Sequence, residues 1–220
     1  MRDVRILVIS DVHGRVGMVK RLVKEESHVD VVMIAGDITN FQGREAALRV
    51  LNPVLRRWPD STVAVFGNCD GRDVPELLEE LGISAHGKHV DVGGLRVTGL
   101  GGSGWTPFNT VWEFDGSTMI ETLSSAYVDG DVLLTHAPPY GTKVDRTFRG
   151  EHVGSRELRR FIELKQPPLV ICGHIHEAAG VDRIGDTVVI NPGPLMRGHY
   201  AIVTVDGSSM KPLDVEMKKL

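Results

Sequence analysis

Acidic, amide and imidazole side chains follow five apolar runs of the chain, at the point where each run ends. The runs are Val4–Ile9, Val31–Ala35, Thr62–Phe66, Val132–Thr135 and Leu169–Cys172. The polar residues that follow them are Asp11, His13, Asp37, Asn68, His136, His174 and His176. Their oxygen and nitrogen atoms are the ligands that divalent metals of borderline hardness prefer. The sequence therefore predicts a metal site built from these seven residues.

The spacing of the candidates supports one shared site. Asp11 and His13 are two positions apart, as are His174 and His176. In extended chain, residues two apart face the same side, so each pair can reach one metal cluster together. Glycine directly precedes three of the seven candidates, Asp37 among them. A residue without Cβ lets the backbone turn sharply and pass close to a ligand.

Each candidate also has an ordinary interpretation. Asp37 and Asn68 could cap the helices that follow them. His136, which lies just before Pro138 and Pro139, could be a hydrogen-bonded loop histidine. An Asp-x-His triplet occurs by accident in many loops. What favours a shared metal site is the whole set, because carboxylates and histidines recur at strand ends that should meet at one edge of a sheet.

The elements that must position these residues alternate along the chain. The apolar runs are nearly continuous, as in strands buried on both faces. Helical spacing of apolar residues predicts a helix after each of the first two runs. Asp73, Pro75 and Glu76 predict a capping box that opens a third helix, and Ser155 is the expected N-cap of a later one.

The second half of the chain has a different pattern. Gly93-Gly94 and Gly185-Asp186 each separate two strand-like runs and predict hairpins. Further strands are expected at Tyr200–Val205 and Pro212–Val215. We therefore predict an α/β fold with two packed mixed sheets and outer helices, forming a single domain over residues 1–220.

Composition excludes several classes of protein. Of the 220 residues, 41% are hydrophobic and 25% charged, with a net charge of −4. This gives no basic excess of the kind that nucleic-acid binders show. The only cysteines, Cys69 and Cys172, suggest no disulfide framework and fit a reducing compartment. With no signal pattern and no apolar run of about 20 residues, we expect a cytoplasmic protein without membrane contact. Homo-oligomer formation is left open.

In order, the motifs resemble those of the calcineurin-like metallophosphoesterase family. Its signature is D-x-H, G-D, G-N-[HC]-[DE], a histidine before prolines, and G-H-x-H. Here these are Asp11-Val12-His13, Gly36-Asp37, Gly67-Asn68-Cys69-Asp70, His136-Ala137-Pro138-Pro139 and Gly173-His174-Ile175-His176. The stretch from Thr135 to Gly193 looks closest to the small, single-domain phosphodiesterase-like branch. The resemblance implies a four-layer αββα sandwich.

The resemblance also implies two divalent metal ions as cofactors. Manganese is the first expectation, with iron, nickel, cobalt and zinc as alternatives. The implied ligands are Asp11, His13 and His176 for one ion, Asn68, His136 and His174 for the other, and Asp37 as the bridge. Such a pair, about 3.5–4 Å apart, clamps a phosphate and generates a hydroxide for in-line attack.

The implied catalytic residues are Asn68, Cys69 and Asp70. Many members of the family carry histidine in place of Cys69, and that histidine is thought to protonate or stabilise the leaving alkoxide. A free thiol has a pKa of about 8.5 and suits this task poorly. Three possibilities follow: the thiol helps, another residue such as His152 or His199 replaces it, or the leaving group needs little help. For Asp70, the alternative role is capping at a helix entry.

Substrate contacts are expected from residues around the metal site. Trp105 and Phe108 lie in a glycine-rich segment and could stack on a base or aromatic leaving group, or could simply cover a sheet edge. Arg72 and Arg197 could grip phosphate oxygens, although both could equally be surface residues. The segment 191–193 is expected to support the site from behind.

The resulting hypothesis is a phosphodiesterase that acts on small phosphodiesters or cyclic nucleotides. The chain has no cluster of arginines near the motifs, which favours a diester over the more highly charged monoester. A phosphomonoesterase acting on nucleotides or phosphoproteins is the related alternative. A non-catalytic scaffold of the same fold is the alternative from another class, and Cys69 is the one feature that supports it.

Overall fold

Strands and helices alternate through the chain in the computed structural model, which describes residues 2–220. The strands are β1 (Val4–Ile9), β2 (Val31–Ala35), β3 (Thr62–Val65), β4 (His89–Val92), β5 (Leu95–Leu100), β6 (Val132–Thr135), β7 (Leu169–Ile171), β8 (Gly180–Ile184), β9 (Thr187–Asn191), β10 (His199–Val205) and β11 (Pro212–Lys219). The helices are α1 (Val16–Glu25), α2 (Arg44–Arg57), α3 (Val74–Glu80), α4 (Gly116–Ala126) and α5 (Arg156–Lys165).

The strands form two mixed sheets. The first has the order β11-β10-β1-β2-β3, in which β1, β2 and β3 are parallel and β10 and β11 are antiparallel additions. The second has the order β4-β5-β6-β7-β9-β8, with the four central strands parallel and an antiparallel strand at each edge. Parallel neighbours bring their carboxyl ends to the same edge, which is where the candidate ligands follow.

Three apolar clusters hold four layers together. In β1, Ile6 and Val8 belong to the cluster between the two sheets, whereas Leu7 and Ile9 belong to the cluster under α1, α2 and α3. Burial on both faces explains why the run has no polar alternation. The third cluster joins the outer face of the second sheet to α4 and α5. The predicted four-layer αββα sandwich is therefore confirmed.

Strands from the two ends of the chain share the first sheet, since β1 pairs with β10. This pairing favours a single domain over residues 1–220, which stays a prediction. Within residues 2–220, no helix combines the length and apolar character needed to cross a membrane.

One helix was missed by the sequence analysis. Helix α4 contains Gly116 and several serines and threonines, which are weak helix formers. The carboxylate of Asp115 accepts the backbone N–H of Thr118 at 2.9 Å and so caps its first turn. Met119 and Leu123 are buried against the second sheet. Tertiary packing and the cap outweigh the low propensity.

The predicted capping box at α3 is wrong. Asp73 does occupy the N-cap of α3, but its side chain makes no capping hydrogen bond there. Instead, its Oδ1 accepts the backbone N–H of Arg44, at the start of α2, at 3.1 Å. The N-cap of α2 is Gly43, and a Cβ at that position would lie 2.5 Å from Asp73 Oδ1. Asp73 therefore caps α2 instead of α3, and it can do so because Gly43 has no side chain. The other predicted cap is confirmed, because Ser155 Oγ accepts the N–H of Leu158 at 3.0 Å.

This arrangement makes a stability prediction. We expect Asp73→Ala to lower the free energy of unfolding by about 1 kcal/mol, because the N–H of Arg44 loses its acceptor. Glu76→Ala, which removes the partner of the rejected capping box, should stay within about 0.5 kcal/mol of the parent. Urea denaturation followed by circular dichroism measures both. An equal or larger loss in Glu76→Ala would contradict the assignment.

Candidate metal centre

The carboxyl ends of β1, β2, β3, β6 and β7 meet at one edge of the sandwich and bring together the predicted ligands of the first ion. His13 Nε2 and His176 Nε2 lie 3.2 Å apart, and Asp11 Oδ1 lies 3.2 Å from the same His176 nitrogen. One ligand atom from each of these three residues lies within 4.8 Å of the other two. The structure thus groups the three residues that the sequence analysis assigned to one ion.

The predicted ligands of the second ion lie next to them. His136 Nε2 is 2.8 Å from Asn68 Oδ1, and the rings of His136 and His174 have centroids 5.0 Å apart. A second compact group of possible ligand atoms joins His136 with Asp37 and Asp11. Asp11 therefore lies close to both groups, a proximity that the sequence analysis did not anticipate.

Asp37 lies between the two groups. Its Oδ2 is 3.6 Å from His13 Nε2, and its Oδ1 is 3.5 Å from His136 Nε2. One carboxylate oxygen faces each group, which is the position that a bridging ligand needs. The carboxylate is buried, and the backbone N–H of Cys69 donates to its Oδ1 at 2.8 Å.

Hydrogen bonds to the outer atoms orient the ligands. His136 Nδ1 lies 2.7 Å from the carbonyl oxygen of Ala35 and donates to it, and Asn68 Nδ2 donates to Thr110 Oγ1 at 2.9 Å. His136 Nε2 and Asn68 Oδ1 lie 2.8 Å apart. When the proton of the neutral imidazole is on Nδ1, both atoms offer a lone pair and can bind one cation together. The donor set fits a bound metal ion.

Burial sets the protonation of the site. It lowers the pKa of His13 to about 4 and that of His174 to about 3, so both imidazoles are neutral near pH 7. Neutral imidazole is the form that binds a metal. Burial, together with the charges of Asp11 and Asp70, raises the pKa of Asp37 to about 7. The crowding of buried carboxylates is another property that a divalent cation would relieve.

Four of the predicted ligands have unusual backbone conformations. Asp11, His13, Asp37 and His174 have φ angles of 53°, 45°, 50° and 69°. The left-handed region is disfavoured by about 1–2 kcal/mol for residues with a Cβ. Strain of this kind is characteristic of functional sites, where the surrounding structure enforces it. Of the three glycines that directly precede predicted ligands, only Gly36, with a φ of 86°, adopts this region itself.

Gly67 allows two loops to approach closely, because it has no side chain. A Cβ on Gly67 would lie 2.0 Å from Asp37 Oδ1 and 2.2 Å from the backbone nitrogen of Asp37. The loops after β2 and β3 can approach so closely only because this position has no side chain. The close approach places Asp37 and Asn68 at the same centre.

Asp70, predicted to be catalytic, faces away from the cleft. It is buried, and its Oδ1 accepts the N–H of Thr39 at 2.7 Å. Its Oδ2 accepts the N–H groups of Gly67 at 2.8 Å and Ile38 at 3.2 Å. These bonds tie the loop that carries Asp37 to the loop that carries Asn68. In this structure Asp70 positions ligands.

Asn191 supports the site from the second sheet. It is buried, and its Nδ2 donates to the carbonyl oxygens of Ile175 at 3.0 Å and Gly173 at 3.4 Å. Both carbonyls belong to the loop that carries His174 and His176. The segment 191–193 therefore holds this loop in place, as the sequence analysis expected.

Cys69 is half-buried and lines the cleft above the metal centre. Burial and the charge of Asp37 raise the pKa of its thiol well above the usual range. The thiol stays protonated at neutral pH and is a weak acid. Of the possible replacements, His152 bonds through Nδ1 to Asp145 Oδ1 at 2.7 Å and lines a neighbouring pocket of about 450 Å³ together with His174. His199 begins β10 and lines neither cavity.

A cleft of about 1010 Å³ opens over the metal centre. Its lining includes Trp105 and Phe108, two of the three predicted substrate contacts, but not Arg72, which is exposed outside the cleft. The lining also includes Phe41, Phe148 and Arg149, which the sequence analysis missed. A signal was present, since each of these two phenylalanines sits between polar residues in a loop that follows a buried strand.

The match to known proteins agrees with this geometry. Residues 4–178 match the family described as Calcineurin-like phosphoesterase. The chain belongs to this family. An uncharacterized protein of Methanocaldococcus jannaschii is 33% identical over 201 residues, covering 88% of this chain and 90% of that protein. The human Metallophosphoesterase domain-containing protein 1 is 26% identical, over 85% of this chain and 65% of its own length.

Solved structures share the fold of this calcineurin-like phosphoesterase. A Thermus thermophilus protein superposes with a TM-score of 0.72 at 19% identity over 99% of both chains. An archaeal protein characterized as a phosphodiesterase has a TM-score of 0.57 at 16% identity, over 98% of this chain and 99% of its own. At such identities the likeness establishes the four-layer fold and nothing finer.

The close approach at Gly67 generates a prediction for the phosphoesterase site. Gly67→Ala should displace Asp37 and reduce the metal content of the purified protein, because the new Cβ overlaps the carboxylate. Gly17→Ala is the matched control, since a Cβ there meets no atom within 4 Å. Elemental analysis after dialysis measures bound metal per chain. Equal metal content in the two variants would contradict the assigned role.

Proposed function

We propose that this phosphoesterase is a dinuclear-metal phosphodiesterase that hydrolyses small phosphodiesters or cyclic nucleotides. The two groups of ligand atoms joined by Asp37 support a site for two ions. When bound, two divalent ions polarise the phosphoryl oxygens and lower the pKa of an attacking water. Manganese is the proposed metal, and the free thiols of Cys69 and Cys172 support a cytoplasmic location.

The charge of the cleft is the observation that carries the preference for diesters. Arg149 is the one arginine or lysine that lines it among residues 2–220, and Glu151 and Glu177 line it as well. A phosphomonoester brings a second negative charge, which this lining does not compensate. A diester, with a single charge, fits a cleft with one guanidinium above the metal centre.

The residues of the chain divide the remaining work. Asp11, Asp37, Asn68 and the four predicted histidines would hold the ions, and the buried Asp70 joins the loops that carry Asp37 and Asn68. Because the Cys69 thiol is a weak acid, we propose that the leaving group departs with little protonation from this residue.

The central experiment is a screen of metals against substrates. Protein stripped with chelator is reloaded with Mn²⁺, Fe²⁺, Co²⁺, Ni²⁺ or Zn²⁺ and assayed on bis(4-nitrophenyl) phosphate and on 4-nitrophenyl phosphate. We expect kcat/KM to favour the diester by about tenfold or more. A preference for the monoester would indicate a phosphomonoesterase. Failure to hydrolyse either compound with any of the ions would indicate a non-catalytic scaffold.

The bridging role of Asp37 predicts a large loss of rate. We expect Asp37→Ala to lower kcat for bis(4-nitrophenyl) phosphate by about 1000-fold, because both ion sites lose a ligand. Asp73→Ala removes the same side chain from a helix cap outside the cleft and should keep the parental kcat. An unchanged kcat in Asp37→Ala would refute the proposed centre.

The weak acidity of the Cys69 thiol leads to a second prediction about kcat. Removal of a general acid lowers the rate by about 100-fold or more. Because we propose that Cys69 does not act as one, Cys69→Ala should keep kcat within about threefold of the parent. The assay uses bis(4-nitrophenyl) phosphate and, for an alkoxide leaving group, 2′,3′-cyclic adenosine monophosphate. A large loss confined to the cyclic nucleotide would show that the thiol does transfer a proton.

A further inference from the structure

The exposed aromatic side chains of the protein are concentrated at one place. Among residues 2–220, four aromatic residues are more than half exposed: Phe41 at 57%, Trp105 at 75%, Phe108 at 80% and Phe148 at 84%. All four line the cleft over the metal centre. Other exposed apolar residues, such as Leu164 and Leu213, are aliphatic and lie elsewhere. Such a concentration of exposed apolar surface marks a binding site.

The four aromatic residues lie in loops that follow strands of both sheets. Phe41 follows β2 of the first sheet, Trp105 and Phe108 follow β5 of the second, and Phe148 follows β6 of the second. The metal ligands are likewise contributed by both sheets, with Asp37 between the two groups. Aromatic surface therefore belongs to both sides of the metal centre.

The backbone of Phe41 is constrained to present its ring. Its φ angle is 62°, in the left-handed region that bulky residues rarely adopt. Its N–H donates to the carbonyl oxygen of Cys69 at 2.7 Å, which anchors it beside the metal loops. Asn109, directly after Phe108, has a φ of 47°. Strain held by the surrounding structure at an exposed ring points to a functional use for that ring.

The size and charge of the cleft indicate what binds there. Its volume of about 1010 Å³ lies at the upper end of the range for small-molecule sites and exceeds what a phosphate group fills. Planar rings stack on aromatic side chains, and Arg149 adds a cation beside them. The remaining volume suits two planar groups, one on each side of the phosphate.

We propose that the substrate is a phosphodiester with a planar aromatic ring on each of its two alcohols, as in a dinucleotide. One ring of the substrate stacks on Phe41, in the loop after β2 of the first sheet. The other stacks on Phe148, in a loop of the second sheet. This inference rests on the proposed function in one respect, the placement of the phosphate at the metal centre. It narrows the substrate class from small diesters to two-ringed ones.

Binding before turnover tests the inference in the full, metal-loaded chain. The probes are bis(4-nitrophenyl) phosphate and methyl 4-nitrophenyl phosphate, which share a leaving group and differ by one ring. Nitrophenyl groups quench tryptophan fluorescence, and Trp105 lines the cleft. Stopped-flow measurement of this quenching gives the dissociation constant of each probe before it is hydrolysed. The variants are Phe41→Leu and Phe148→Leu, which keep apolar bulk but remove the ring.

We expect the two-ringed probe to bind the parent about tenfold more tightly than the methyl ester. Each of Phe41→Leu and Phe148→Leu should weaken the two-ringed probe by about fivefold or more. Leu164→Ala, an equally exposed apolar position on α5 outside the cleft, should change neither constant. Circular dichroism melting shows that the variants are folded.

Two results would overturn the inference. The first is equal affinity of the parent for both probes, and the second is weakened binding in only one of the two phenylalanine variants. Failure of the proposed function is distinguishable, because the quenching does not depend on turnover. The expected binding pattern without hydrolysis would reject the catalytic proposal alone. Hydrolysis of both probes with equal affinity would reject the two-ringed substrate alone.

Discussion

The burial of Asp11 and Asp37 beside four histidines is the constraint on which the rest of this structure depends. Asp11 and Asp37 are both buried, and one oxygen of Asp37 faces each group of histidines. Burial of unpaired charge is strongly unfavourable, and it raises the pKa of Asp37 to about 7. A bound cation removes this penalty. The fold therefore holds buried carboxylates in an arrangement that is electrostatically unfavourable without a cation and favours the binding of a metal ion.

Holding that arrangement requires support from several loops at once. Four ligands adopt left-handed backbone conformations, and the loops after β2 and β3 touch where Gly67 has no side chain. Asp70 and Asn191 accept or donate hydrogen bonds that keep these loops together from either sheet. Apart from the bond between Gly67 and Asp70, these supports join segments far apart in the sequence. The same close contacts that strain the backbone also preorganise the donor atoms.

The floor and the rim of the cleft have separate roles. The floor includes five of the seven predicted ligands that belong to the family pattern: His13, Asp37, Asn68, His174 and His176. The rim consists of loops after β2, β5 and β6 that carry exposed aromatic rings and Arg149. Binding energy from such remote contacts adds to specificity without altering the reacting centre. Cys69 lies at the boundary, half-buried and protonated, where it shapes the cleft more than it supplies protons.

The sequence by itself predicted the set of candidate ligands and determined the layering of the sheets. Both depend on local regularities: polar residues directly after buried strands, pairs two positions apart, and apolar runs without alternation. Tertiary structure alone decided the proximity of Asp11 to both groups of predicted ligands and the use of Asp73 as the cap of α2. It also decided that α4 forms despite its weak propensity and that Phe41 and Phe148 share a cleft with Trp105. Each of these depends on contacts between segments far apart in the chain, and such contacts leave no periodic trace in the local sequence.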